Sequence, residues 1–211
     1  MQRYIDASHA QGWRITSVLE THLHADFVSG AHELAAAVGA KVLLPAGADS
    51  RLAHDAVTAP ETIALDGIEV EAVASPGHTP EHTSYVIRTG AGPAALFSGG
   101  SLMVGGAART DLIAPELTEQ LTRAQFRTLK TAFSALPDET LLYPTHGGGS
   151  FCSAGGGGQR SSTLGEERAT NPLLSFEDED EFATWFPTTF PSNPAYYFWM
   201  RALNQAGARL R

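Results

Sequence analysis

The stretch THLHADF, residues 21–27, follows directly on the β-prone run RITSVLE of residues 14–20 and precedes SGAHELAAAVGAKVLL, residues 29–44. AHELAAAV reads as a helix, with Ser29 as a cap and Gly39 as a stop. Lys41–Leu44 reads as the next strand. A strand, loop, helix, strand unit of this kind predicts a layered α/β architecture. His22 and His24 are two residues apart, so in an extended segment their imidazoles project to one side, as does Asp26. Zinc takes nitrogen or oxygen donors at about 2.0–2.2 Å, and this spacing supplies two or three from one strand end.

Outward from that motif the same arrangement recurs. GIEVEAVAS, residues 67–75, alternates at Ile68 and Val70 as a half-buried strand should, and leads into the Pro- and Gly-rich loop SPGHTPEH with His78. TSYVIR and AALFS are further strands ahead of GGSLMVGG. From Glu116 to Leu136, the spacing of Leu117, Leu121, Leu129, Phe133 and Leu136 predicts an amphipathic helix. TLLYP is again a strand, leading into THGGG with His146. His22, His24, His78 and His146 thus each sit just beyond a strand, where a punctuated loop can hold a ligand without disturbing a core. His9, His32, His54 and His82 have ordinary surface or capping readings, although His82 is close enough to His78 to touch the site from behind.

Composition bounds the rest. The chain has 211 residues, 43% of them hydrophobic, as expected of one globular domain over residues 1–211 with a helical tail. With 14 Lys and Arg against 23 Asp and Glu, the formal charge is −9, which disfavours a nucleic-acid partner. No apolar run approaches the roughly 18 residues that cross a bilayer, and MQRYIDASHA lacks a signal peptide's apolar core, so a cytoplasmic location away from membranes is expected. Cys152 is the one cysteine, so a metal here must be held by histidine and carboxylate. Residues 147–170, with GGGSFCSAGGGGQRSST, read as an exposed loop. The run 177–181 (EDEDE) reads as a solvated helix start, and Asn193-Pro194 as a helix start ahead of AYYFWMRALNQAG, whose aromatic residues need a packing partner.

THLHADF, SPGHTPEHTSYV, LFSGGSLMVGGAARTDL and LYPTHGGGSFC together resemble the metallo-β-lactamase superfamily in order and approximate spacing, and look closest to its persulfide dioxygenase and glyoxalase II branch. The resemblance covers residues 3–150 well and the stretch after Thr163 more loosely. It implies an αββα sandwich lacking the first N-terminal strands, whose exposed edge would invite a homo-oligomer. Since many relatives carry a rhodanese domain, it also implies a rhodanese-type partner. His22, His24 and His78 match the first metal position of two-metal members, and Asp26 and His146 match part of the second. In iron-dependent persulfide dioxygenases the matching ligands are His22, His78 and the aspartate of a Gly-Asp pair.

Two positions depart from the pattern. Phe27 stands where the family motif has a histidine, and Gly99-Gly100 stands where it has Gly-Asp. One divalent metal is therefore expected in place of two, held by His22, His24 and His78, with His146 a further ligand or a polar group facing the substrate. Three imidazoles and no carboxylate favour zinc over iron. Asp26 would orient a water or accept its proton. Gly100 would open space for a substrate carboxylate or thiolate, and restoring the carboxylate there would tighten metal binding. Arg109 and Asp111 read as a buried polar clamp, and Cys152 as a buried thiol. The expected function is a mononuclear metal-dependent hydrolase of a thioester, ester or related sulfur-containing small molecule. The alternatives are a persulfide dioxygenase-like enzyme and a metal-binding or interaction module that has lost turnover. Retention of five polar groups favours an enzyme.

Overall fold

The structure is a computed structural model that describes residues 1–147, 150–155 and 158–207. The chain forms two compact units, Met1–Val57 with Ala195–Arg211, and Thr58–Pro194. In the first, helix α1 (Gln2–Ala10) precedes β1 (Ser17–Leu19), α2 (Ala31–Val38), β2 (Lys41–Pro45) and β3 (Asp55–Val57). The three strands form a parallel sheet in the order β1-β2-β3. Parallel neighbours need a crossover, and the alanine-rich α2 supplies it between β1 and β2. Its buried face, Ala31 and Ala35 one turn apart, packs with Val42 and Leu44 of β2. Gly39 ends α2 in the left-handed region at φ 71°, as the sequence predicts; the N-cap is Gly30 and not Ser29, whose hydroxyl accepts from the Ala31 amide at 3.0 Å from one residue further out.

The second unit holds β4 (Thr62–Leu65), β5 (Ile68–Ala74), β6 (Thr83–Thr89), β7 (Gly92–Gly99), β8 (Gly106–Ala108), α3 (Thr118–Thr131), β9 (Leu141–Pro144), β10 (Ser153–Gly155), β11 (Ser162–Thr163), α4 (Leu164–Thr170) and α5 (Glu179–Trp185). Its main sheet runs β11-β9-β7-β6-β5-β4. β4 to β7 form an antiparallel meander, whereas β7 and β9 pair in parallel with α3 in the crossover between them. β5, β7 and β9 therefore point the same way, and their C-terminal ends share one edge of the sheet. Those ends carry the loops of His78, Gly100 and His146.

The core of this unit joins α3 to the sheet and to α5. Leu121, Phe126 and Leu129 of α3 are buried, Leu96 and Leu142 rise from β7 and β9, and Phe182 and Phe186 are sealed from solvent. Each such aromatic side chain contributes about 1.5–3 kcal/mol through burial. Outside this core, Arg123 and Arg127 of α3 bond Asp180 and Glu179 of α5, each at 2.6 Å, and the Arg127 hydrogen bond draws the Glu179 carboxyl below its ordinary range.

Several expectations change in detail. Ile68 is exposed, because it follows the Asp66-Gly67 hairpin turn directly, and the inward positions of β5 are Val70 and Ala72. The amphipathic segment stays helical only to Thr131, though Phe133 and Leu136 beyond it are still buried. The glycine-rich stretch contains β10, which pairs with β8, and residues 162–170 form β11 and α4. Backbone pairing needs no side-chain pattern, so this strand left no trace in the hydrophobicity; residues 148, 149, 156 and 157 lie outside the described set. Asp178 caps α5 within the acidic run. The last helix, α6 (Tyr197–Ala206), belongs to the first unit and starts after Asn193-Pro194. It buries Tyr197, while Phe198 and Trp199 are exposed. Among the described residues no helix is long and apolar enough to cross a membrane.

Candidate metal centre

In the first unit, the Glu20 amide donates to the Leu43 carbonyl at 3.0 Å, so the parallel ladder reaches one residue past β1 before the chain leaves the sheet. His22 and His24 follow on a bent segment and not on a strand, yet both side chains turn inward. Their ring centroids are 4.3 Å apart at 60°, and both residues are buried. The Thr21 hydroxyl lies 2.9 Å from His22 Nδ1. His24 has a carboxylate on either side: Glu20 Oε2 is 3.2 Å from Nε2, and Asp26 Oδ1 is 3.7 Å from Nδ1. Phe27, at the position where the family motif has a histidine, lies against the His24 ring with centroids 4.1 Å apart. It offers no donor atom and braces the imidazole instead.

The loop is tied down from α6. The Asn204 side-chain amide donates to the carbonyls of His24 (2.7 Å) and Phe27 (2.9 Å), while its oxygen accepts from the Ser29 amide (2.9 Å). One turn earlier, Arg201 donates to the Leu23 carbonyl at 3.3 Å. A cavity of about 350 Å³ opens beside the loop, lined by Glu20, His22, His24, His32, Leu52 and Asn204 among others. Burial pushes the His32 imidazole below its ordinary pKa, an effect that Glu20 opposes and His54 reinforces.

In the second unit, His78 is buried and its Nδ1 lies 2.6 Å from the Arg109 carbonyl. A carbonyl can only accept, so Nδ1 carries the proton and Nε2 is the atom able to donate to a metal. The ring of His146, just past β9, lies 5.7 Å from that of His78. The His78 loop rests on α3 at Gly77, whose φ of 148° and 2.6 Å approach from a Cβ to the Gln125 backbone exclude any side chain. Thr128 also holds the loop by donating to the Pro76 carbonyl at 2.7 Å.

Gly100 does not open a space. A Cβ there would lie 2.8 Å from His78 Cδ2 and 2.9 Å from Ala108 Cβ, so the histidine ring and β8 already fill the volume. His82 is fully buried and has neither a surface nor a capping role. Its Nε2 accepts from the Gly100 amide at 3.0 Å, and its Nδ1 faces the hydroxyls of Ser75 (2.8 Å) and Ser101 (2.9 Å). It supports the glycine turn from behind, as its nearness to His78 suggests. Arg109 is the expected clamp: it grips Asp111 with two hydrogen bonds, donates to the Pro191 carbonyl at 2.6 Å and lies over Phe190. Cys152 is buried.

The histidine loops in both units agree with a match between residues 2–146 and the sequence model of the Metallo-beta-lactamase superfamily. The chain belongs to that superfamily. Divalent-metal binding goes with this family. Among its relatives, a hydroxyacylglutathione hydrolase of Acidiphilium cryptum is 38% identical over 144 residues, 67% of this chain and 54% of that protein. Another from Rhodobacter capsulatus is 36% identical over 192 residues, covering 79% and 71%. The chain spans about half the length of the Acidiphilium relative and of a similarly named protein from Rhodopseudomonas palustris. Among solved structures, a metallo-beta-lactamase from Staphylococcus aureus superposes with a TM-score of 0.91 at 30% identity, over 100% of this chain and 64% of that one. ETHE1 from Myxococcus xanthus gives 0.80 at 24% identity, over 97% and 83%, which bears on the fold alone. The metallo-β-lactamase fold expected from the motifs is thereby shown, and the sequence relatives carry the glyoxalase II name.

Sequence reasoning missed Glu20 and Asn204. Glu20 carried a signal, since it continues the two-residue spacing of His22, His24 and Asp26 backwards. Asn204 carried none, because its partners lie about 180 residues away in sequence.

Proposed function

We propose that this superfamily member is a metal-dependent thioester hydrolase that acts on a small acyl-glutathione thioester, with one zinc ion held by His22, His24 and His78. His146 is a further ligand or a polar group facing the substrate. The observation that carries the reading is the donor chemistry. His78 is pinned through Nδ1 by the Arg109 carbonyl, and His24 has Nε2 beside Glu20, so each ring has one nitrogen committed to the protein and the other suited to zinc. Neutral imidazole donors in buried loops fit this ion. The names of the relatives supply the substrate class.

A bound divalent ion would bring a water's pKa to about 7 and polarise the thioester carbonyl. Asp26, with a carboxylate oxygen 3.7 Å from His24 Nδ1, would orient a water and take its proton. The water oxygen bonds to the carbonyl carbon, the carbon–sulfur bond breaks, and the thiol leaves with the proton that Asp26 held. Oxidation of a persulfide is disfavoured, because Gly100 supplies no carboxylate for iron and leaves no room for one.

The test is thiol release from a hydroxyacylglutathione by the zinc-loaded protein, with metal content measured on wild type and on His22→Ala/His24→Ala. Turnover and about one zinc per chain in wild type, with both lost in the double variant, is the expected result. Full zinc occupancy without turnover would refute the hydrolase and favour the binding module. Oxygen consumption with glutathione persulfide would favour the dioxygenase.

A further inference from the structure

We propose that Glu20 is a positioning residue that sets the tautomer of His24, its carboxylate accepting the Nε2 proton so that Nδ1 becomes the nitrogen presented to a metal. This rests on the reading of His24 as a ligand. The geometry is confined to one loop. Glu20 Oε2 lies 3.2 Å from His24 Nε2, and a carboxylate oxygen facing a ring nitrogen accepts its proton, which places the proton on Nε2.

Glu20 is itself held on two sides. Its backbone is fixed by the Leu43 carbonyl at the end of the parallel ladder, and its other carboxylate oxygen accepts from the Ser29 hydroxyl. Ser29 accepts in turn from the Ala31 amide at the start of α2, and its own amide donates to Asn204. Asn204 closes the circuit by donating to the His24 carbonyl. Its amide orientation follows from its partners, since one oxygen faces a donor and the nitrogen faces two carbonyls. The His24 ring is thus located by the β1 ladder, the start of α2 and α6 at once. Phe27 adds a flat wall along the ring. A histidine whose second nitrogen is held by a carboxylate is a more basic and better oriented ligand than one left to solvent.

The experiment has two readouts that fail separately. Long-range proton–nitrogen correlation spectra of histidine-labelled, metal-free protein, recorded above the imidazole titration range and assigned with a His24→Gln variant, report which nitrogen of His24 is protonated. Wild type is expected to show the Nε2–H form. Glu20→Ala should lose that preference, whereas Glu20→Gln should retain it, because its amide oxygen still accepts while the Ser29 hydroxyl can turn to accept from the amide nitrogen. Zinc affinity, measured by competition with a chromophoric chelator, should fall about 10- to 100-fold in Glu20→Ala and less in Glu20→Gln. An Nδ1–H tautomer in wild type, or an unchanged Nε2–H signal in Glu20→Ala, overturns the proposal. If the tautomer shifts while zinc affinity stays at the wild-type level, Glu20 positions the ring and His24 is not a ligand. Should Glu20→Ala fail to fold, an unfilled preference in the folded Glu20→Gln protein overturns the proposal equally.

Discussion

Gly100→Ala is a one-atom change whose consequence can be worked from the geometry. The added Cβ would stand 2.8 Å from His78 Cδ2, 3.1 Å from His78 Cγ and 2.9 Å from Ala108 Cβ. Carbon atoms rest at about 3.5–4.0 Å, so roughly 0.7 Å or more of overlap must be relieved. None of the neighbours gives way easily. The His78 ring is fixed by the Arg109 carbonyl, Ala108 is buried in the β8–β10 pair, and residue 100 is held by His82 at its amide and by Ala108 at its carbonyl. Overpacking of this kind costs about 1–3 kcal/mol, which denaturant unfolding of the metal-free protein should report as a lower midpoint at unchanged slope. If the strain is relieved by moving His78, zinc affinity should fall by about 5- to 150-fold over the same energy range. Gly100→Asp carries the same Cβ and should also weaken metal binding, the reverse of what the family pattern suggests. An aspartate variant as stable as wild type and tighter for zinc would refute the steric reasoning.

Other perturbations test the supports around the loops. Arg109→Lys cannot reproduce the two-pronged bond to Asp111 while reaching the Pro191 carbonyl, and should cost about 1.5–3 kcal/mol in urea unfolding. Phe182→Ala removes a sealed aromatic ring between Phe126, Phe176 and Phe186, and should destabilise by about 3–5 kcal/mol in the same assay. His32 has its folded pKa lowered from 6.5, chiefly by burial, so the unfolded chain binds its proton first as pH falls. Its stabilising contribution is complete above the unfolded value and is lost as pH drops through that value toward the lowered one. His32→Gln should therefore flatten the acid side of a stability-versus-pH curve, and a curve parallel to wild type would exclude this histidine as a cause. Asn204→Leu keeps the bulk but removes three hydrogen bonds to the 24–29 loop, and faster amide exchange at Ser29 is the expected sign.

The parts of the fold that were legible in the sequence are those whose side chains alternate or recur. β1, α2 and β2 follow from a β-prone run, an alanine-rich helix and a glycine stop, and their order alone implies a parallel pair. β10 was not legible, because it is a short backbone ribbon inside a glycine-rich run and shows no periodicity. The shared edge of β5, β7 and β9 is a property of topology. Sequence shows that His78 and His146 each follow a strand, but only the antiparallel meander and the parallel return after α3 put those strand ends on one edge of the sheet.

For the site, the difference lies between donors and what holds them. Histidine and aspartate announce themselves by type and spacing, so His22, His24, Asp26, His78 and His146 could be picked out one by one. The groups that orient them are backbone carbonyls, a hydroxyl just ahead of α2 and an amide about 180 residues away, none of which has a local pattern. Gly100 shows why this matters. As a letter it is the loss of a carboxylate, and it suggested an opening. In three dimensions it is the condition under which His78 can sit against β8, so the absent side chain is part of how the histidine is placed. The volume that a side chain at residue 100 would need is taken up by the His78 ring and the methyl group of Ala108.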